Sequence, residues 1–359
     1  MEGLSANLAL ILDAARSAPS HDNLQPWRFV VEGDVLSLGL DHERLGDATA
    51  ARIALGAAVE CVYVAAARAG ATVRVLDPRE GALVTLSITD PKRLPEPDLA
   101  RTRRVTNRRA YDGRALDDAT LRALKEASPA RGHVHTQWFG RERARALAPL
   151  VEEAEELLFL DEALRARALG AVRFDAKDKD EVTTGLSLGS LELTTAERAT
   201  LTGMRKTPRP AEAKKLGARA RRLLESASGV CVITAGPDPA DDIDVGRAVQ
   251  RAWMALTKLG MAAQPMTTPI TLPLAFRTLS DLDGARDTIP DALDVVPVRA
   301  RARRGVAARV PQPRARRARR VPPALRLGRG AVVPRGSPAH RGRHDRSLRR
   351  TDLKRAHGP

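Results

Sequence analysis

Apolar residues recur at helical spacing early in the chain, at Leu4, Leu8, Ile11, Leu12 and Ala15. They predict an amphipathic helix that stops before Pro19, because proline lacks the N–H that a helix interior needs. Residues 28–31 and 35–40 are apolar, β-branched runs on either side of Glu32-Gly33-Asp34, a pattern that predicts a hairpin. An apolar helix over 53–69 and strands over 72–76 and 83–88 follow. Farther along, Asp117 or Asp118 is placed to cap a helix carrying Leu121 and Leu124, and a Leu-rich helix is expected over roughly 142–158.

Two of these segments are alike. Gly56-Ala57-Ala58-Val59 leads through Tyr63 and Ala65 to Gly70, and 190 residues later Gly246-Arg247-Ala248-Val249 leads through Trp253 and Ala255 to Gly260. Equal glycine separation with an aromatic at the same offset exceeds what helix periodicity supplies, so an internal duplication is expected. The chain then divides into a first half over 1–98, a second half over 99–295 and a tail over 296–359. Residues about 160–225 have no counterpart in the first half. They are charged, helical in pattern and punctuated by Gly185, Gly189, Pro208 and Pro210, which predicts an insertion folded over the body as a lid.

The formal net charge of +16 suggests a nucleic-acid or membrane partner until it is divided along the chain. Residues 299–359 hold 20 of the 60 Lys and Arg but two of the 44 Asp and Glu, which leaves 40 basic and 42 acidic residues before them. Binding of nucleic acid through such a tail would be sequence-independent and weakened by salt. The near-neutral body carries no nucleic-acid motif, so nucleic acid is not the expected partner. Arg, Ala, Pro and Gly dominate the tail, which has too little apolar surface to offset ordering. Disorder is expected there, whether the segment is a genuine basic arm or the product of a shifted reading frame in a GC-rich gene.

Cys61 and Cys231, the only cysteines, each sit in an apolar run, which predicts buried thiols and neither a disulfide framework nor a metal cluster. No basic segment followed by an apolar stretch opens the chain, and no run approaches the ~18 apolar residues of a membrane span. A cytoplasmic protein without a membrane partner is the expectation.

The candidate chemistry lies in three segments. Ala18-Pro19-Ser20-His21-Asp22-Asn23-Leu24-Gln25-Pro26-Trp27-Arg28-Phe29 joins the first helix to the first strand, and Ser20, Asn23 and Gln25 offer short polar groups to a flat heterocycle rimmed with donors and acceptors. Pro26 is expected to hold Gln25 extended. An ordinary turn, with Ser20 and Asn23 bonded to their own backbone, is the plainer alternative. Arg103-Arg104-Val105-Thr106-Asn107-Arg108-Arg109-Ala110-Tyr111 opens the second half. Its guanidinium forks and hydroxyl suit a phosphate, although a solvated basic run is the commoner fate of such a segment. Gly260-Met261-Ala262-Ala263-Gln264-Pro265-Met266-Thr267-Thr268 follows the second repeat helix, with a buried strand as its plainer reading.

Together these segments resemble the nitroreductase superfamily. The resemblance covers about residues 4–285, and the insertion matches least well. It implies an α+β fold: two fused nitroreductase-like halves forming an intramolecular pseudo-dimer, each with a mainly antiparallel sheet surrounded by helices. It implies that Pro19, Ser20, Asn23 and Gln25 form the loop over the FMN ring, that Arg104, Thr106 and Arg108 grip the FMN phosphate, and that Gln264, Pro265, Met266, Thr267 and Thr268 pass the reactive edge of the flavin. A backbone N–H near Thr267 or Thr268 would then poise the flavin.

The halves are unequal. No Arg-x-Ser-x-Arg precedes the first helix, and residues 127–138 hold only a degraded form of the flavin loop, so one site per chain is expected. This asymmetry, the Thr-Asn-Arg-Arg run and the insertion resemble the Acg-type branch. The implied activity is transfer of reducing equivalents from NAD(P)H through FMN to a nitroaromatic, quinone or similar small acceptor. The implied assembly is a pseudo-dimeric monomer or a loose homodimer. No acid, base or nucleophile is assigned, and His21 is taken as a polar loop residue. The alternative is a homologue that sequesters flavin or has lost it. Leu325-Arg326-Leu327-Gly328 and Arg346-Ser347-Leu348-Arg349-Arg350 look like remnants of the family's closing strand and paired arginines, set in the wrong composition.

Overall fold

Helix α1 (Ala6–Arg16) buries Leu8, Ile11, Ala14 and Ala15 along one stripe and ends ahead of Pro19. Strands β1 (Trp27–Glu32) and β2 (Val35–Leu40) form the hairpin expected around Gly33, whose φ of +62° suits a residue without a Cβ. After helix α2 (Ala48–Arg68), strands β3 (Thr72–Leu76) and β4 (Val84–Thr89) complete an antiparallel four-stranded sheet in the order β1-β2-β4-β3. The computed structural model describes residues 6–92, 99–176, 183–207, 209–236 and 238–271. Leu4, the tail over 296–359 and the two remnant motifs lie outside the described residues.

The predicted helix over 53–69 begins earlier, at Ala48, because the Asp47 carboxylate caps it by accepting from the Ala50 N–H at 2.9 Å. That extra turn carries Arg52. Of the two candidate caps downstream, Asp117 acts, accepting from the Thr120 N–H at 2.7 Å.

The second half starts with α3 (Leu99–Arg103), α4 (Asp118–Ala127) and β5 (His135–Gly140). The antiparallel partner of β5 is β8 (Gly229–Thr234), with Trp138 opposite Cys231. Between them run α5 (Arg141–Leu160), α6 (Glu162–Gly170), the short strands β6 (Val172–Arg173) and β7 (Leu186–Ser187), α7 (Thr195–Gly203) and α8 (Pro210–Ser226). The chain between the paired strands is thus 141–228, and residues 160–225 lie within it. Helix α8 packs along α5, and Ala144, Ala148, Val151, Ala220 and Leu224 form their shared core. A separate cluster, with Phe159, Leu169, Leu201, Met204 and Leu216, lets the insertion hold its own shape. Helix α9 (Asp241–Lys258) and α10 (Thr268–Thr271) end the described chain.

Helix α2 packs along α9. A methyl group on Gly56 would lie 2.0 Å from the Ile243 carbonyl oxygen, and one on Gly246 would lie 1.9 Å from the Ile53 carbonyl oxygen. Both pairs, Gly56 with Gly246 and Ile53 with Ile243, are 190 residues apart, so the close approach is reciprocal between the repeated segments. The expectation that no run approaches a membrane span needs correction. Helix α2 is long and apolar enough for one, but 67% of that window is buried within the fold, and Leu55, Val59 and Val62 belong to the first core.

Candidate functional site

The loop after α1 is held in a conformation that few side chains adopt readily. Asp22, Asn23 and Gln25 have φ of 51°, 55° and 52°, and such left-handed backbone in a non-glycine residue persists only where its surroundings enforce it. Gln25 therefore departs from the extended form expected beside Pro26. The Ser20 Oγ accepts from the Gln25 N–H at 3.0 Å and closes the loop on itself, which outweighs the proline's preference. Pro19, Ser20, Asn23 and Gln25 are all half-buried.

What covers the loop comes from the insertion. Asn23 Nδ2 donates to the Gly185 carbonyl at 3.1 Å, and the Gly185 N–H donates back to the Asn23 carbonyl at 3.3 Å. Gln25 Nε2 donates to the Thr183 carbonyl. Gly185 is fixed by φ +89°, and a Cβ there would fall 2.7 Å from the Ala171 carbonyl. The same strap continues to the arginine run. Arg108 donates to the Ser190 carbonyl at 2.9 Å, its N–H donates to Glu192 Oε2 at 2.9 Å, and Arg109 pairs with Glu192 at 3.1 Å. Residues 183–192 thus bond to the first-half loop and the second-half arginines together.

Arg104 is placed differently. Its guanidinium lies 4.6 Å over the Trp253 ring, and its Nη2 donates to the Ser17 carbonyl at 3.3 Å, next to the loop. No ion pair joins it to a carboxylate among the described residues, and its Nε is buried without an acceptor. Burial lowers its pKa from the ordinary arginine value, as expected for a desolvated cation. Thr106 bridges Ala263, and the Asn107 N–H donates to the Ala263 carbonyl at 3.0 Å, which sets the run beside Gln264. The Gln264 Oε1 is also buried without a donor.

The rest of the third segment is dispersed. Pro265 and Thr267 are exposed, and Met266 packs on the α5–α8 core. Thr268 opens α10 and donates its hydroxyl to Glu155 Oε1 at 2.7 Å. The segment is a loop and a short helix, so the strand reading is overturned. Burial raises the Glu155 pKa, and the Thr268 hydrogen bond opposes the shift. His21 donates to Asp22 across 3.0 Å, and that bond raises the imidazole pKa against the opposing effect of burial. Cys61 is buried as expected, whereas Cys231 is half-buried, with its thiol pushed up to about 12 by desolvation.

A cleft of about 200 Å³ lies beside the strap, lined by Arg108, Arg109, Glu192, Glu197, Arg219 and Arg222, among others. Sequence reasoning missed Trp253 as the seat of Arg104, and Gly185, Ser190 and Glu192 as cover for the loop. The 190-residue repeat picked out Trp253 as an aromatic, but no local signal marks the strap. No family model matches this chain, and no curated protein sequence matches it.

Proposed function

We propose that the chain is an FMN-dependent oxidoreductase of the nitroreductase-like kind, its two halves forming an intramolecular pseudo-dimer with one composite site. The observation that carries this reading is Arg104: a half-buried guanidinium stacked on Trp253, its Nη2 on the Ser17 carbonyl, with no carboxylate partner among the described residues and a buried Nε lacking an acceptor. A cation of this kind calls for an anion, since an uncompensated charge in the interior costs several kcal/mol, on the order of 3–5 when a partner is lost. The buried Gln264 Oε1 adds an acceptor that a donor on a flat ring would satisfy. By donor set these residues fit FMN. Arg104, Thr106 and Arg108 would hold the phosphate, and Ser20, Asn23, Gln25 and Gln264 would face the ring system.

Bound FMN would supply the hydride chemistry between NAD(P)H and a nitroaromatic, quinone or similar acceptor. The chain's own groups bind and orient: guanidiniums fix the anion, and the rigid loop at 20–25 presents amides in one geometry. The strap excludes water from that face. The reciprocal Gly56 and Gly246 approach supports the pseudo-dimer, because an isologous contact repeats itself with the partners exchanged.

A second reading rests on the strap. The carbonyls of Thr183, Gly185 and Ser190 take the donors of Gln25, Asn23 and Arg108. A strap that stays in place makes the chain a relative that sequesters flavin or does without it. Titration of the full chain with FMN, followed by flavin fluorescence and then NAD(P)H oxidation with a quinone, separates the readings. One FMN bound per chain with turnover supports the oxidoreductase. Binding without turnover supports sequestration, and failure to bind overturns the oxidoreductase.

A further inference from the structure

The contact between α2 and α9 is polar at several places, and most of its hydrogen-bonded contacts obey the repeat. Residues early in one helix meet residues early in the other, so the pair runs parallel. Apart from Glu60 with Arg247, each of these contacts has a counterpart with the two helices exchanged and the numbers shifted by 190. Arg52 with Asp242, at 2.7 Å, maps onto itself. Glu60 with Arg251, at 2.8 Å, maps onto Gln250 with Cys61, at 3.3 Å. Glu60 also takes Arg247 at 3.0 Å, the position that answers to Ala57 on α2. These groups are enclosed: the side chains of Glu60, Arg247 and Arg251 are 9%, 16% and 12% exposed.

We propose that these pairs restrict α2 to an α9 partner, so that the chain's halves recognise each other and reject the like half of a second copy. Sterics alone cannot make this choice, because each helix has a glycine at the crossing and either could approach its own kind. Charge decides it. With α2 against the second copy's α2, Arg52 would meet Arg52, and Glu60 would face Ala57 and Cys61 with no cation. With α9 against α9, Asp242 would meet Asp242, and Arg247 and Arg251 would face Gln250. Each wrong pairing buries charges that lack an opposite partner or meet their own kind, whereas within one chain each of these charged groups has an opposite partner, Arg247 and Arg251 sharing Glu60, and buried polar groups serve specificity in this way. The inference concerns assembly alone and holds with or without a flavin.

The test uses the full chain. Arg52→Asp sets two carboxylates against each other and Asp242→Arg two guanidiniums, so each should lower the melting temperature by several degrees. Both changes in one chain should recover most of that loss. Coexpressed as separately tagged chains, the two single variants regain opposite charges at positions 52 and 242 only by pairing between chains. They should co-purify one to one, and two tagged copies of the parent chain should not. A double variant no more stable than the worse single, absence of the mixed pair, or co-purification of the parent copies would each overturn the proposal.

Discussion

The two halves solve the same connection in different ways. In the first, β1 and β2 are joined by a turn around Gly33; in the second, β5 and β8 pair across the chain from 141 to 228. The strand pairing survives because loop-closure entropy grows only slowly with length, and because the inserted chain brings apolar clusters of its own. The compact half holds the half-buried polar loop at 20–25, and the expanded half supplies the strap that covers it. One region thus presents the polar loop and the other encloses it. The central helices are more alike: their glycines meet reciprocally, and Gln250 stands at the position that answers to Glu60.

The largest test of this likeness is steric. Gly56→Ala and Gly246→Ala each drive a methyl group to about van der Waals overlap with a backbone carbonyl, and a backbone cannot rotate aside. Each should lose about 2–3 kcal/mol, the scale of overpacking, despite the roughly 1 kcal/mol that alanine gains in a helix. Gly170→Ala, with nothing within 4 Å, is the control. Urea unfolding should place the two variants within about 1 kcal/mol of each other. A neutral result for either one breaks the reciprocity.

The next effect distinguishes two arginines that look equivalent in sequence. Arg104→Ala and Arg108→Ala should each weaken FMN binding by about 1.5–3 kcal/mol, as for charge-assisted hydrogen bonds, while Arg122→Ala should not. The larger loss is expected for Arg104, since Arg108 already donates to Ser190. Isothermal titration of the three variants measures it. Equal affinities throughout would return residues 103–109 to a basic surface.

Much of the fold was legible because it is local. Leu8 and Ile11 announce α1 by spacing, and Gly33 announces its hairpin. The repeat located both crossing glycines. What failed was set by long-range or competing contacts. The first turn of α2, Ala48-Thr49-Ala50-Ala51, has no large apolar residue, so its start at Asp47 was hidden. The Ser20 hydroxyl overrode the statistical preference of a residue before proline. Nothing near Asn23 tells of Gly185, 162 residues away. Arg104 and Arg108 look alike in the motif, yet only Trp253 and the strap show that one lies over an aromatic ring with no carboxylate among the described residues and the other beside Glu192.

A smaller effect concerns Glu155, whose burial raises its pKa. A carboxyl raised on folding favours the folded state most below its unfolded pKa and loses that advantage as pH rises through the folded value. Glu155→Gln keeps a partner for Thr268 and removes the titration. It should flatten the acid-to-neutral stability profile and raise stability near neutrality, by less than either glycine substitution removes. Melting temperatures from pH 4 to pH 8 decide it, and parallel profiles would show that the group is not strained by burial.

The smallest effect lies on the covered loop itself, at His21 and Asp22. The hydrogen bond from Nδ1 to the carboxylate, at 3.0 Å, is the main cause of the raised imidazole pKa, and burial opposes it. Asp47 adds to the rise and Arg167 counters it, so the balance joins the cap of α2 to the inserted helix α6. For a base raised on folding, the stabilisation is complete below the unfolded value of about 6.5 and disappears as pH climbs through the folded one. Asp22→Asn keeps a residue type that tolerates the left-handed backbone at φ 51° and removes the charge. The His21 ring resonances should then titrate at lower pH, and the small gain in melting temperature between pH 8 and pH 5.5 should shrink. An unchanged midpoint would mean that the side chain leaves Asp22 in solution, and the loop would then owe its shape to Ser20, Asn23 and the strap alone.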